Sequence, residues 1–186
     1  MFIYIDYNLR KKMVSTEDDI SPASLPTREF LTWDNNKKAS NTTLISEDVM
    51  SWNTSGGYRY CKSEQTFESG FHRFEVEVDW DNKEAQISFG VCWDENFNCD
   101  GGVYYFTGAY LYCNYYPSFT KDYSNIHTTT PPKATNLSTV AVNFDFDERK
   151  IWWEINGEEC EKLDFSPTSG KVFVVCGMFS GKATFK

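Results

Sequence analysis

The amino-acid sequence predicts an all-β fold, and three observations lead to this prediction. Two stretches, residues 67–93 and 139–157, contain alternating apolar and polar residues with the period of two that is typical of strands with one buried face. No window shows a convincing helical period. Aromatic residues make up 17% of the 186 residues and leucine is scarce, a composition that favours strands joined by turns.

Residues 139–157 predict a central antiparallel meander. Apolar side chains occupy every second position of its first strand, Val140, Val142, Phe144 and Phe146, and of its second strand, Ile151, Trp153 and Ile155. Residues 147–150 form a polar tight turn between the two strands. Asn156-Gly157 supplies the positive φ values of a two-residue hairpin turn, so a third strand is expected at residues 158–163.

Shorter strands are predicted earlier in the chain, at residues 30–33, 42–45, 49–52 and 58–61, with polar loops at 34–38, 46–48 and 54–57. Near the C-terminus, Ser180-Gly181 is expected to form a hairpin turn. Residues 1–24 are predicted to be an N-terminal extension, either an edge strand at residues 2–7 or partly flexible, and residues 25–186 a single domain.

Net charge and cysteine spacing limit the classes of partner and the compartment. The formal charge is −9, so nucleic acid and anionic membranes would bind against the protein's own field. Basic residues follow the first apolar run, which is the reverse of a signal peptide, and no stretch approaches the roughly 18 apolar residues of a membrane span. We therefore expect an intracellular, monomeric domain, cytoplasmic or nuclear, in which six cysteines are free thiols: Cys61, Cys92, Cys99, Cys113, Cys160 and Cys176.

Several motifs together resemble the SPRY domain family. In the family's order and spacing, they are residues 44–48 (LISED), 67–78 (FESGFHRFEVEV), 87–91 (ISFGV), 142–147 (VNFDFD), the Asn156-Gly157 hairpin and the closing strands at 171–185. The match runs from about Phe30 to the C-terminus. It departs from the family pattern at Arg73, where an aromatic residue is usual, at residues 137–139, where a glycine is common, and at residues 114–135, which do not align.

The resemblance implies a twisted sandwich of two antiparallel β-sheets with no known catalytic activity. SPRY domains act as recognition modules that hold a peptide or a folded partner on loops at one edge of the sandwich. They often belong to ubiquitin ligases or to chromatin and signalling scaffolds. The resemblance therefore implies an adaptor function without a cofactor.

The residues themselves offer little for catalysis. His72 lies on the apolar face of a predicted strand, where a core imidazole is the expected role, and His127 lies in a loop without an evident partner. No G-x-S-x-G or H-E-x-x-H motif occurs. We therefore predict that the protein is not an enzyme.

A calcium-assisted, lectin-like sandwich is the alternative function. Residues 94–102 place oxygen-bearing side chains at alternate positions, as a calcium-binding loop does. As an EF-hand loop it would begin at Asn96 and contain Gly101 correctly, but Thr107 stands where the bidentate glutamate belongs. A solvated acidic loop explains the same residues.

Aromatic residues beside the predicted loops are the candidate binding residues. The group consists of Trp33, Tyr58, Trp93, Tyr104, Tyr105, Tyr115, Tyr116, Phe119 and Tyr123. So many rings cannot all fit inside a sandwich about 10 Å thick. Exposed tyrosine and tryptophan dominate interface energetics, although about half of these rings could equally cap the sandwich ends. The resemblance implies that the loops of Tyr104 and of Met178-Phe179 meet at one edge, while Trp152 stays unassigned. The expected contact residues, for a protein or peptide partner with a neutral or basic segment, are Tyr58, Trp93, Tyr104, Tyr105, Tyr115, Tyr116, Met178 and Phe179.

Overall fold

The structure is a computed structural model that describes residues 31–53, 59–80, 87–100, 108–114, 116–122 and 124–186. The predicted N-terminal extension and its edge strand at residues 2–7 lie outside these ranges. The strands of the described residues are β1 (Trp33–Lys38), β2 (Thr42–Ser46), β3 (Val49–Asn53), β4 (Arg59–Ser63), β5 (Phe71–Asp79), β6 (Ile87–Cys92), β7 (Ala109–Cys113), β8 (Ser118–Lys121), β9 (Ser124–Asn125), β10 (Thr139–Asp145), β11 (Lys150–Ile155), β12 (Glu158–Glu159), β13 (Leu163–Asp164), β14 (Phe173–Met178) and β15 (Ser180–Phe185).

The strands form two antiparallel sheets, which confirms the predicted all-β sandwich. The seven-stranded sheet has the order β1-β4-β14-β6-β7-β8-β9. The eight-stranded sheet has the order β12-β11-β10-β5-β15-β3-β2, and β13 also pairs with β11. Apolar side chains from the inner faces of both sheets pack together in one core cluster. Within it, Trp153 stacks on Phe119 with ring centroids 4.7 Å apart and donates its indole N–H to the Phe89 carbonyl at 2.9 Å.

The predicted central meander is confirmed. Phe144 of β10 lies opposite His72 of β5 and opposite Ile151 of β11. Asn156 and Gly157 have φ values of 53° and 79° and form the turn into β12. The predicted third strand is not continuous, because β12 and β13 are separate two-residue strands that both pair with β11.

Two predictions about the chain's local structure are wrong. Residues 34–38, predicted to be a loop, belong to β1. Their polar side chains are tolerated because β1, among the described strands, lies at the edge of its sheet and pairs with β4 alone. Ser180-Gly181 is not a hairpin turn, because β14 and β15 lie in different sheets. Gly181, with φ 116°, lets the chain enter β15 beside β5, where a Cβ atom would lie 2.5 Å from the Asp79 carbonyl oxygen.

All six cysteines are free thiols, as predicted. Cys61 and Cys176 are opposite each other on β4 and β14 and are buried. Burial raises the pKa of the Cys92 and Cys176 thiols far above the usual range, so both stay protonated at neutral pH.

The outer face of the seven-stranded sheet is covered by residues 93–100, which we call the strap. Phe97 of the strap packs edge-on against Tyr60, with ring centroids 5.5 Å apart. Lys62 is buried under it. The Lys62 ammonium donates to the Glu95 carbonyl at 3.0 Å and lies 3.9 Å above the Phe173 ring. The strap therefore gives this sheet a second, outer apolar cluster.

Among the described residues, side chains of the neighbouring strands cover the outer face of the eight-stranded sheet over strand β10. Arg73 of β5 reaches across β10 to Glu154 of β11, with 2.9 Å between Nη2 and Oε2. Phe71 of β5 likewise reaches across β10 and stacks on Trp152 of β11, with ring centroids 5.8 Å apart. These two bridges bury Ala141 and Asn143, whose register positions lie beneath them. Trp152, unassigned from the sequence, thus belongs to the outer face.

Candidate functional site

One end of the sandwich gathers loops from both sheets, and we call it the Phe179 end. Phe179 links β14 of one sheet to β15 of the other, and Gly181 then packs against Asp79 and Trp80 at the end of β5. The Trp80 N–H donates to the Asn136 side chain at 3.0 Å, which places the loop before β10 at the same end. Besides Trp80 and Gly181, the Phe179 end includes Asn114, Tyr116, Pro117, residues 132–138, Asn156, Gly157 and Phe179.

A buried hydrogen-bond hub connects two of these loops. Asn114, which follows β7 and is 0% exposed, donates to the Ala134 carbonyl at 3.1 Å and accepts from the Ala134 N–H at 2.8 Å. The Tyr112 hydroxyl lies 2.7 Å from Asn114 Oδ1 and 2.8 Å from the Pro132 carbonyl. Burial raises the pKa of the Tyr112 hydroxyl above its usual range, which keeps it a neutral donor. The hub therefore fixes residues 132–134 against the β7–β8 connection.

The β11–β12 turn is tied to the same loop. The Asn156 side chain accepts from the Thr139 N–H at 3.0 Å and lies 3.3 Å from the Ser138 hydroxyl, to which its amide group donates. The Ser138 hydroxyl also accepts from the Thr135 N–H at 2.8 Å. Both ends of loop 132–138 are consequently anchored, so the Phe179 end is a pre-organised surface.

Two of the predicted contact residues lie at this end with accessible side chains. Tyr116 is 69% exposed and projects from the β7–β8 connection, two residues after Asn114. Phe179 is half-buried. Leu137 was not predicted, although it is 62% exposed on the same end. The one feature of the sequence that could have drawn attention to Leu137 is its place in residues 137–139, where the SPRY pattern commonly has a glycine.

Met178 and Trp93 need a correction, because the structure places both side chains in the interior. Met178 is 0% exposed, since alternate residues of β14 point into the core and Met178 is one of them. Trp93 is 7% exposed and packs against Tyr110, with ring centroids 5.5 Å apart. Trp33 and Phe119 are also buried and belong to the core cluster between the sheets.

The remaining predicted contact residues, Tyr58, Tyr104, Tyr105 and Tyr115, lie outside the described residues, as does Tyr123. Tyr104 and Tyr105 belong to residues 101–107. The residues on either side of this segment, Asp100 and Gly108, are each held by a hydrogen bond. The Asp100 carbonyl accepts from Arg59 at 3.0 Å, and the Gly108 carbonyl accepts from the Trp93 N–H at 2.8 Å. That Tyr104 and Phe179 share one edge stays a prediction.

The two histidines occupy aromatic surroundings. The His72 ring lies 4.7 Å from the Phe67 ring and 5.3 Å from the Phe144 ring, and its Nε2 atom is 2.7 Å from the Ser69 carbonyl oxygen. His127 packs edge-on against Phe119, with centroids 6.2 Å apart. These contacts suit a packing role for both imidazoles.

Residues 94–100 of the acidic stretch proposed for calcium are part of the strap, and several of their side chains bond within the protein, whereas Gly101, Gly102 and Thr107 lie outside the described residues. Asp94 accepts from the Asn96 N–H at 2.8 Å, and Asn98 accepts from the Asp100 N–H at 3.1 Å. Glu95 forms an ion pair with Lys171, and this pairing lowers the pKa of the Glu95 carboxyl. In the described part of the chain, no group of three His, Cys, Asp or Glu side chains is arranged to hold a metal ion.

Comparison with solved structures identifies the fold. The SPRY domain of human HERC1 superposes with a TM-score of 0.64 over 82% of this chain and 96% of that domain, at 17% sequence identity. The chain has the SPRY fold. The TRIM65 PSpry domain (TM-score 0.63, 12% identity, 84% of this chain and 91% of that one) and a human SPRY domain (TM-score 0.56, 13% identity, 78% and 96%) share the SPRY fold.

Because the sequence identities are between 12% and 17%, the similarity to SPRY domains shows a shared fold alone. No family model matches the sequence, and no curated protein matches it. The described residues contain no helix of a length and apolarity that would cross a membrane.

Proposed function

We propose that this chain is a non-catalytic recognition module that binds a peptide or a folded protein through its Phe179 end. The SPRY fold supports the proposal, because SPRY domains act as recognition modules. Loops held on a rigid sandwich are a common place for such sites.

The observation that carries the proposal is the exposure of Tyr116 and Leu137 on loops fixed by the buried Asn114 hub. A large exposed ring and an exposed aliphatic side chain can each bury much area on binding. Because their loops are already ordered, little conformational entropy is lost when a partner binds. This combination is what a small interface hot spot requires.

Charge restricts the chemistry of the partner. The net charge of −9 disfavours polyanions and favours a contact segment that is neutral or basic. Such a partner should associate more slowly as salt rises. We further propose that the module serves as an adaptor, for example as the substrate-recognition part of a ubiquitin ligase or a scaffold.

The test is a pull-down with the whole chain from cell extract, with and without a chelator, followed by purification of the protein recovered most strongly. Its dissociation constant is then measured for the wild type and for Tyr116→Ala combined with Phe179→Ala. We expect the double variant to lose at least about 2 kcal/mol of binding free energy, the scale of a hot spot, at unchanged melting temperature.

The control is Ile45→Thr, because Ile45 is a large apolar residue that is exposed like Tyr116 but lies on the edge strand β2. It should bind like the wild type. Equal affinity of the double variant would reject the Phe179 end as the binding surface. Recovery of glycoproteins alone, lost on chelation, would favour the calcium-assisted lectin instead.

A further inference from the structure

Leu137 combines two properties that rarely occur together. Its backbone has φ 61°, in the left-handed region, and its side chain is 62% exposed. Among the described residues, the other non-glycine residues with positive φ are Asp122, Arg149 and Asn156. Aspartate and asparagine adopt this conformation more readily than other residues, so Leu137 and Arg149 are the less usual members of this set, and Leu137 is the apolar one.

The left-handed conformation at Leu137 is imposed by its neighbours. The Leu137 N–H donates to the Val78 carbonyl at 2.8 Å, and the Val78 N–H donates to the Ser138 carbonyl at 3.0 Å. The Ser138 N–H in turn donates to the Thr135 carbonyl at 3.0 Å. These bonds join the loop to the end of β5 and would form with any residue that accepts positive φ.

Neither the backbone nor the core accounts for a leucine here. Glycine or asparagine would adopt this backbone at lower conformational energy. Packing does not favour leucine either, because most of the side chain faces solvent. What leucine supplies in place of those residues is an exposed apolar group, on the end of the sandwich that also carries Tyr116. Observed backbone strain at a loop position is a recognised indicator of function.

We infer that Leu137 is an apolar anchor of the Phe179 end that inserts into an aliphatic cavity of a protein partner. This inference rests on the proposed recognition function and names the residue and the kind of cavity that it needs. A protein partner fits better than a polyanion, because the chain's net charge is −9 and the anchor itself is uncharged. Asn136 and Asn156, which are exposed on the same end, supply polar side chains for the rim of the anchor.

The test compares Leu137→Asn and Leu137→Met with the wild type, using the purified protein recovered in the pull-down described above. Asparagine keeps the left-handed backbone but removes the apolar group, whereas methionine keeps the apolar group and a similar volume. We expect Leu137→Asn to weaken binding by about 10- to 100-fold, the value of burying one aliphatic side chain, and Leu137→Met to bind within about threefold of the wild type.

Stability is measured on the same samples by urea unfolding. The midpoint for Leu137→Asn should equal or exceed that of the wild type, because the left-handed conformation costs asparagine less. Leucine-selective methyl labelling gives a second readout, in which the Leu137 methyl signals should shift on addition of the partner.

The outcomes separate this inference from the proposed function. If Leu137→Asn binds like the wild type while the Tyr116 and Phe179 double variant binds weakly, the anchor is rejected and the recognition surface stands. If none of these variants changes affinity, both are rejected. A lower urea midpoint for Leu137→Asn would show that leucine is retained for stability, which also overturns the inference.

Discussion

Replacing Asn114 by alanine tests whether the buried hub holds the Phe179 end in place. The side chain makes two hydrogen bonds with Ala134 and one with the Tyr112 hydroxyl. At about 1 kcal/mol each, these three bonds contribute about 3 kcal/mol to stability. The Ala134 carbonyl would also lose its donor, and an unsatisfied buried carbonyl costs about 1 kcal/mol or more. We therefore expect Asn114→Ala to lower the free energy of unfolding by about 3–5 kcal/mol, a large share of a typical total of about 5–15 kcal/mol.

The assay is urea unfolding followed by tryptophan fluorescence, with Asn125→Ala as the control. Asn125 is exposed on the edge strand β9, where substitutions usually change stability by less than about 0.5 kcal/mol. A loss below about 1 kcal/mol for Asn114→Ala would mean that water replaces the hub, and the argument for a fixed loop would fail.

Asn114→Asp should make the free energy of unfolding depend on pH. Its carboxylate still accepts from Ala134 and Tyr112, but it can donate to the Ala134 carbonyl only when it is protonated. Burial should raise the pKa of this carboxyl above the unfolded value of about 3.9. The deficit of Asn114→Asp relative to the wild type should therefore be small below about pH 4 and should grow as pH rises through the raised pKa.

Three further predictions concern the core, the sheet crossing and the independence of the fold from metal. Phe144→Ala, at a buried position of β10, should cost about 3–5 kcal/mol in urea unfolding, and a cost under about 1 kcal/mol would contradict its place in the core. Gly181→Ala should cost at least about 2 kcal/mol, because the new methyl group meets the Asp79 carbonyl and φ is positive; an unchanged melting temperature would disprove the close approach. Excess chelator with reductant should leave the melting temperature unchanged, since all six cysteines are free thiols, and a large drop would reveal a required metal.

The predictable part of the fold lies mostly where large apolar residues alternate with small or polar ones along a strand. In β5 and β11, alternate side chains face the core, so the sequence shows the period of two. In β7 and much of β14, both faces are buried, because the strap covers the outer face of their sheet. β7 is apolar at all five positions, so it has no alternation from which the sequence could predict it, whereas β6 and β10, which are also buried on both faces, still alternate large apolar residues with small or polar ones.

The candidate site was less predictable, since it depends on contacts between distant parts of the chain. Met178 resembles a loop residue in sequence, but the register of β14 points it into the core. The link at Phe179 was predicted to be a hairpin because local turn chemistry does not reveal that the next strand joins the other sheet. Likewise, the left-handed backbone of Leu137 is fixed by Val78, 59 residues earlier in the chain, and leucine itself gives no sign of it.

The side-chain bridges over β10 imply a gradient of local unfolding across the eight-stranded sheet. β10 has a strand on each side, the core beneath it and the bridges of Arg73 and Phe71 above it, so its amide protons should exchange with solvent only through global unfolding. The two-residue strands β12 and β13 should exchange by fraying. Because loop 132–138 leads directly into β10, its C-terminal attachment is joined to the most slowly exchanging part of the sheet.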